Sequence, residues 1–385
     1  MSLALGSSSF LIDSNGFADG PAQALRDFLI ARRAAKLTVV LHPLLPEEGA
    51  HHEISTYRLG ELTRQRRIRL PSRPPITYPF DLMVPPLPPA ADVWFGFNCL
   101  AASVGLTARR FGRVGKVVYW CVDYVDDRFG SSPLTAAYEA LDGLCCRRVD
   151  ARFELSEAAL VARSRRHQRN GHALAPSSVV PMGAWTERVP TNTEEESFNA
   201  RKVVFMGHMV PTQGVRALME ALVLLHDRGV AFTADFVGRG PELPELQRAA
   251  AAGGLADTVT FHGFVEKFTD IEKILAGGTV ALAPYDPNAE SFKRFADPGK
   301  IKAYLAAGLP IVTTRVAPNA ESLEKDGCAR LVDFSPGEIA SGIQAVLDSR
   351  EVFNAMRAAA LEASKSFDWN RIMERAFGFL GIALT

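Results

Sequence analysis

The 385-residue chain has no C-x-x-C pair, no apolar run longer than a strand, and no surplus of either charge sign. Its five cysteines (Cys99, Cys121, Cys145, Cys146 and Cys328) are odd in number and scattered, which argues against a disulfide framework and against a zinc site. No stretch approaches the ~20 apolar residues that span a bilayer, and no secretory leader is read at the start. The expectation is a soluble, cytoplasmic protein. Forty-three basic residues cancel 43 acidic ones. A chain that binds nucleic acid through its phosphates carries a basic excess, so that class is set aside. What is present is a chain 47% apolar and 22% charged, long enough for two or three domains with cores of their own.

The zero net charge divides unevenly. Residues 1–190 carry 23 Lys and Arg against 18 Asp and Glu, whereas the remainder carries 20 against 25. At the seam, Thr191-Asn192-Thr193-Glu194-Glu195-Glu196-Ser197 has no apolar residue and reads as a solvated linker over 191–200. The expected organisation is a first domain over 1–190, a second over 201–350, and C-terminal helices over 351–385 that pack back toward the first. Both halves alternate short β-branched runs with helical patterns, which predicts parallel sheets covered by helices. Strands are expected at 37–41, 92–97, 116–122, 151–155 and 178–180, with helices near 21–34, 99–111, 133–148 and 156–169. In the second half strands are expected at 202–206, 232–237, 259–261, 279–283 and 310–313. The Pro-rich stretch 70–90 reads as an irregular excursion. The fold class is α/β: two doubly wound, Rossmann-like domains facing each other across a cleft.

Ligands of such folds bind beyond the carboxyl ends of strands, where glycine turns lead into helices. One such turn holds Gly207, His208, Gln213, Gly214 and Arg216, and a second holds Gly238. A third, Asp297-Pro298-Gly299-Lys300, offers a plausible N-cap in Asp297 and ends its helix at Gly308. Lys300 sits where the positive helix end repels it; a bound phosphate resolves the conflict, and solvation tolerates it. In the first half Asp19-Gly20-Pro21 opens a helix, and Asp123 follows the strand at 116–122. Acidic groups there accept sugar hydroxyls, serve as a base, or cap helices. Two arginine clusters, Arg58 to Arg73 and Arg163 to Arg169, read as solvated faces or as docking patches for an anionic membrane. His51-His52 has no partner at metal-binding spacing and is assigned no role.

Taken together, residues 200–345 resemble the nucleotide-binding domain of family 4 glycosyltransferases with the GT-B fold. The resemblance rests on Val204-Phe205-Met206-Gly207, Gln213-Gly214-Val215, Val237-Gly238-Arg239-Gly240-Pro241 and His262-Gly263-Phe264, in that order. Ala281-Leu282-Ala283-Pro284-Tyr285 and Ala306-Ala307-Gly308-Leu309-Pro310 complete it. The first half fits more loosely, with Asp19-Gly20 at a usual Gly-Gly turn and Asp123 where a histidine is common. The resemblance implies retaining sugar transfer from a nucleotide-diphosphate sugar to a glycan, lipid-linked or small-molecule hydroxyl. It implies no metal and no other cofactor, and a cytoplasmic enzyme of polysaccharide or glycoconjugate synthesis, in reach of the inner membrane face.

The chain departs from the family at the donor site. His208 and Gln213 stand where an arginine and a lysine usually clamp the diphosphate, and Ala303 stands where a glutamate holds the ribose. Either neighbouring groups substitute or donor turnover has been lost, leaving a glycan- or nucleotide-binding protein. The substitutes are Lys300, Arg216, Lys293 and Arg294 for phosphate, and Asp286, Glu290 or Asp297 for the sugars. The expected catalytic pair is Asp123 and Glu290. Gly20, Gly207, His208, Gln213, Arg216, Gly238, Asp297, Gly299 and Lys300 are the expected donor-binding set.

Overall fold

The computed structural model describes residues 3–17, 19–44, 51–70, 77–84, 89–125, 128–168, 173–190, 192–288 and 295–384. The chain forms two compact units, Met1–Pro181 with Asn370–Thr385, and Met182–Trp369.

Unit 1 runs β1 (Leu3–Ala4), β2 (Ser9–Asn15), α1 (Pro21–Ala31), β3 (Lys36–His42), β4 (His51–Arg58), β5 (Glu61–Arg69) and α2 (Tyr78–Asp81). It continues through β6 (Ala91–Gly96), α3 (Cys99–Arg110), β7 (Val114–Cys121), α4 (Pro133–Arg148), β8 (Ala151–Glu154), α5 (Glu157–His167) and β9 (Ser177–Val179). Its eight-stranded sheet has the order β5-β4-β3-β2-β6-β7-β8-β9. From β3 to β9 the strands are parallel, whereas β4 and β5 add an antiparallel ribbon at one edge. The parallel strands carry continuous apolar runs because helices cover both faces, and Trp94, Phe95, Trp120 and Phe153 are fully buried on them. Asn98, Ser132 and Ser156 start α3, α4 and α5 by accepting a backbone N–H three residues on.

Unit 2 runs α6 (Glu194–Asn199), β10 (Lys202–Met206), α7 (Val215–Asp227), β11 (Thr233–Val237), α8 (Leu243–Ala252), β12 (Val259–Gly263), α9 (Phe268–Ala276) and β13 (Val280–Ala283). Then come α10 (Gly299–Ala306), β14 (Ile311–Thr313), α11 (Ala320–Lys325), β15 (Ala329–Leu331), α12 (Pro336–Leu347) and α13 (Arg350–Ser364). Helix α14 (Trp369–Leu380) and strand β16 (Ile382–Ala383) return the chain to unit 1, where β16 pairs with β1. The six strands of unit 2 are all parallel in the order β12-β11-β10-β13-β14-β15. Counted within the unit this is 3-2-1-4-5-6, the doubly wound order whose direction reverses between β10 and β13.

The segment read as a solvated linker is instead structured. Thr193 and Glu196 form a reciprocal capping box that starts α6, and the buried Ser197 carbonyl accepts the Thr279 hydroxyl at 2.6 Å. The division between units falls earlier, at Pro181. Acidic residues at the first turn of a helix suit its dipole, so their polarity marked a helix start rather than a tether.

Candidate donor site at the strand reversal of unit 2

Three glycine turns meet where β10, β11 and β13 end. Gly207 and Gly238 both have positive φ, +143° and +129°, and their backbones touch: a Cβ on Gly238 would lie 2.1 Å from the Gly207 carbonyl oxygen. The Gly207 N–H donates to the Val237 carbonyl at 2.9 Å and the Gly238 N–H to the Gly263 carbonyl at 2.8 Å, so backbone bonds lace the ends of β10, β11 and β12 together. Gly214, the left-handed N-cap of α7, lies against β13, where a Cβ would come within 1.8 Å of the Pro284 oxygen. The result is a floor of backbone cleared of side chains, at the point where such sheets hold ligands.

Lys300 projects into this floor from the first turn of α10. Its ammonium donates to Gln213 Oε1 at 2.7 Å and sits 4.3 Å from the Phe205 ring centroid and 5.3 Å from that of Tyr285. Gly207 makes room for it, since a Cβ there would lie 3.0 Å from Nζ. Lys300 is 9% exposed, so it is neither a solvated surface lysine nor a simple helix-end misfit. Aromatic faces hold the charge. Sequence reasoning missed Tyr304, one turn along, whose hydroxyl accepts the Met206 N–H at 2.8 Å and donates to the Leu282 carbonyl at 3.2 Å. It ties α10 to both strands at the reversal. Burial raises its phenol well above the ordinary value, so it stays neutral as a donor and acceptor.

Other expected donor residues are placed differently. Asp297 does not cap α10: Pro298 is the N-cap and no side chain caps the helix. The Asp297 carboxylate instead accepts Lys302 Nζ at 2.5 Å and the Met182 N–H at 2.7 Å, with Lys302 buried against Phe367. It braces the start of unit 2 against the loop before α10. Arg216 is exposed at the start of α7 and pairs with Glu242, donating Nη2 to Oε1 at 3.0 Å. Glu242 thus occupies the cation that was expected to reach phosphate. His208 is exposed, and Gly299 begins α10. Asp286 accepts the Asn288 N–H at 2.8 Å in a local turn. Glu290, Lys293 and Arg294 lie outside the described residues.

In unit 1, Gly20 is the N-cap of α1 in extended conformation. Asp123 exposes its side chain just past β7, while its carbonyl accepts Arg163 Nη2 at 2.8 Å. Arg163, read from the sequence as part of a solvated cluster, is 4% exposed and clasped by Asp142 and Glu154. Its partners come from α4 and β8, which local composition does not reveal. Burial raises the Asp142 carboxyl, but Arg163, followed by hydrogen bonds from His167 and Tyr119, outweighs it and holds the group well below its usual range. A depressed folded value stabilises above the unfolded value near 4 and is lost as pH falls through the folded one. Asp142→Asn should therefore cost about 3 kcal/mol at neutral pH. A plot of Tm against pH should show a shallower loss below about pH 4 in the variant than in the parent. Of the other arginine cluster, Arg58 ends β4, and Arg64, Arg66, Arg67 and Arg69 lie on β5, an edge strand exposed along nearly all its length, where charge discourages strand addition. Arg73 and Arg169 lie outside the described residues.

Residues 200–349 match the profile of the family described as glycosyl transferases group 1. The chain is 28% identical over 168 residues to an alpha-D-kanosaminyltransferase of Streptomyces kanamyceticus, a match over 42% of this chain and 41% of that protein. Among solved structures, Anabaena HepE in complex with UDP and glucose aligns with a TM-score of 0.66 at 17% identity, covering 97% of this chain and 99% of that one. Sucrose-phosphate synthase from Thermosynechococcus elongatus aligns at 0.68 and 15% identity, covering 97% and 98%. WaaG, a glycosyltransferase involved in lipopolysaccharide biosynthesis, aligns at 0.66 and 15% identity, covering 96% and 99%. Among the described residues no helix is long and apolar enough to cross a membrane. Residues 200–349 are therefore similar to the group 1 glycosyl transferases, and the chain that carries them has the GT-B fold.

Proposed function

We propose that the protein is a retaining glycosyltransferase that moves a sugar from a nucleotide-diphosphate donor to a hydroxyl acceptor. The observation that carries this reading is the convergence of Gly207, Gln213 and Lys300 on bare backbone at the reversal of the unit 2 sheet. A diphosphate laid there meets backbone N–H groups, the amino end of α10 and one ammonium held in aromatic surroundings. In this reading Lys300 takes the part of the missing lysine and arginine, and Gln213 positions it. The donor's anomeric carbon–oxygen bond breaks, the leaving phosphate oxygen takes the acceptor's proton, and the acceptor oxygen bonds the carbon on the same face. No metal enters that step, because the developing negative charge falls on fixed donors. Asp123, on unit 1, is the residue assigned to the acceptor or the transferring sugar.

Arg216 is not counted among the phosphate ligands, since Glu242 holds it. Arg216→Ala should change the Kd for the nucleoside diphosphate by less than about threefold, as expected for an exposed ion pair. A larger loss measured by calorimetry would return it to the site.

The pairing of Arg216 with Glu242 also favours a second reading, a scaffold that binds glycan without turning over a donor, because it leaves fewer cations for the diphosphate. A panel of UDP-, GDP- and ADP-sugars, run without added divalent ion, separates the two. One donor should raise Tm and release nucleoside diphosphate when acceptor is supplied. If no donor raises Tm or is hydrolysed, while a glycan binds, the transferase reading is lost.

A further inference from the structure

At the carboxyl ends of β2 and β3 and the amino end of the antiparallel β4, four titratable side chains are buried together. They are Asp13, His42, His52 and Asp81, each 0–3% exposed. His42 Nδ1 and His52 Nδ1 lie 2.7 Å apart, and Asp81 Oδ1 lies 3.5 Å from the first and 3.7 Å from the second. These three atoms come from β3, β4 and α2 and point at one another. We propose that His42, His52 and Asp81 form a three-ligand site for a divalent transition-metal ion of the zinc class.

Three observations support a metal rather than hydrogen bonding alone. Among the described residues Asp81 Oδ1 has no hydrogen-bond donor although it is buried, and an ion between the rings supplies the missing partner. The outer contacts are those that orient metal ligands: His42 Nε2–H donates to Asp13 Oδ1 at 2.9 Å, and Asp81 Oδ2 accepts from Asn15 Nδ2 at 2.9 Å. The charges match once both imidazoles are neutral, as metal ligation requires: the two carboxylates then carry two buried negative charges that a divalent cation cancels. A tetrahedral ion about 2.05 Å from each ligand sets ligand atoms about 3.3 Å apart. The two edges to Asp81 already approach that distance, and the imidazole pair has to open by about half an ångström.

The alternative cluster, Asp142, Cys146 and His167, is a weaker candidate because Arg163 already neutralises Asp142, and burial holds the Cys146 thiol up at about 12. No C-x-x-C or H-x-x-H spacing announces the favoured site, since its ligands are 10 and 29 residues apart along the chain and only the fold unites them. It lies beneath the turn that leads to Gly20, with the His42 carbonyl accepting the Gly16 N–H at 2.7 Å, so a bound ion would fix the end of β2 and the start of that turn.

The test uses the full chain, free of any histidine tag, loaded with zinc, desalted and assayed by elemental mass spectrometry. The wild type should retain about one zinc per chain, and chelation should lower its Tm. His52→Asn and Asp81→Asn should each lose the zinc while keeping a folded circular-dichroism spectrum, and His226→Asn, on the exposed end of α7, should keep it. If the two variants do not fold, cobalt loaded into the wild type should give ligand-field bands of an imidazole–carboxylate site. Retention below about 0.1 equivalent in the wild type, or equal zinc in His52→Asn, Asp81→Asn and wild type, would overturn the proposal. The readout is metal content, so it succeeds or fails independently of the transferase reading.

Discussion

Lys300→Ala should weaken nucleoside-diphosphate binding by more than about tenfold, because one charge-assisted hydrogen bond to a phosphate contributes roughly 1.5–3 kcal/mol. The magnitude follows from the surroundings. Phe205 and Tyr285 replace water around the ammonium, so its field toward a bound anion is screened less than that of a surface lysine. Lys300→Met separates charge from packing, since it keeps an apolar stem of similar length against the two rings. Both variants should lose affinity alike, while Tm stays near the parent's in Lys300→Met, for the ammonium's burial costs about what its contacts return. Calorimetric titration with UDP, GDP and ADP reads this directly. An unchanged Kd in both variants means that another cation holds the phosphates.

The second large effect concerns the floor itself. Gly214→Ala places a Cβ 1.8 Å from the Pro284 carbonyl oxygen at a φ of +67°. The obstructing atom is backbone, so no rotamer change relieves the clash, and the β10–α7 turn has to move away from β13. The left-handed conformation alone costs about 1 kcal/mol for alanine, and the displacement should bring the total to about 3 kcal/mol or more. For a unit of about 190 residues each kcal/mol lowers Tm by about 2–4 °C, so the drop should be on the order of 10 °C. Gly337→Ala is the matched control: it lies in the first turn of α12 with open space at its Cβ, and Tm should hold or rise. Equal melting of the two variants would show that the close approach of these turns is not a constraint on the fold.

The strands were legible because parallel strands buried on both faces read as unbroken apolar runs. Lys202–Met206 is the strand expected at 202–206, and the helix expected at 133–148 is Pro133–Arg148. The β4–β5 ribbon was not legible. Glu61–Arg69 carries one leucine and one isoleucine among polar residues, so no alternation marked it and its arginines looked like a patch. Position along a turn was enough to nominate Gly207, Gln213 and Lys300, which the fold brings together. Pairings across the chain were hidden. Arg216 meets Glu242 from the next βα unit, Asp297 meets the backbone of Met182, and Arg163 meets Asp142 and Glu154. Charge type at a turn thus singled out residues that the fold gathers, but not which cations were already engaged by the protein.

A nucleoside diphosphate should bind at the sheet reversal of unit 2 with Lys300 as its cation. A crystal structure of the protein soaked with UDP, GDP or ADP tests this most directly. A phosphate oxygen should lie within about 3.2 Å of Lys300 Nζ and of a backbone N–H in the turn that begins at Gly207. A diphosphate bound elsewhere, or bound there with Lys300 still on Gln213 and out of reach, would contradict it.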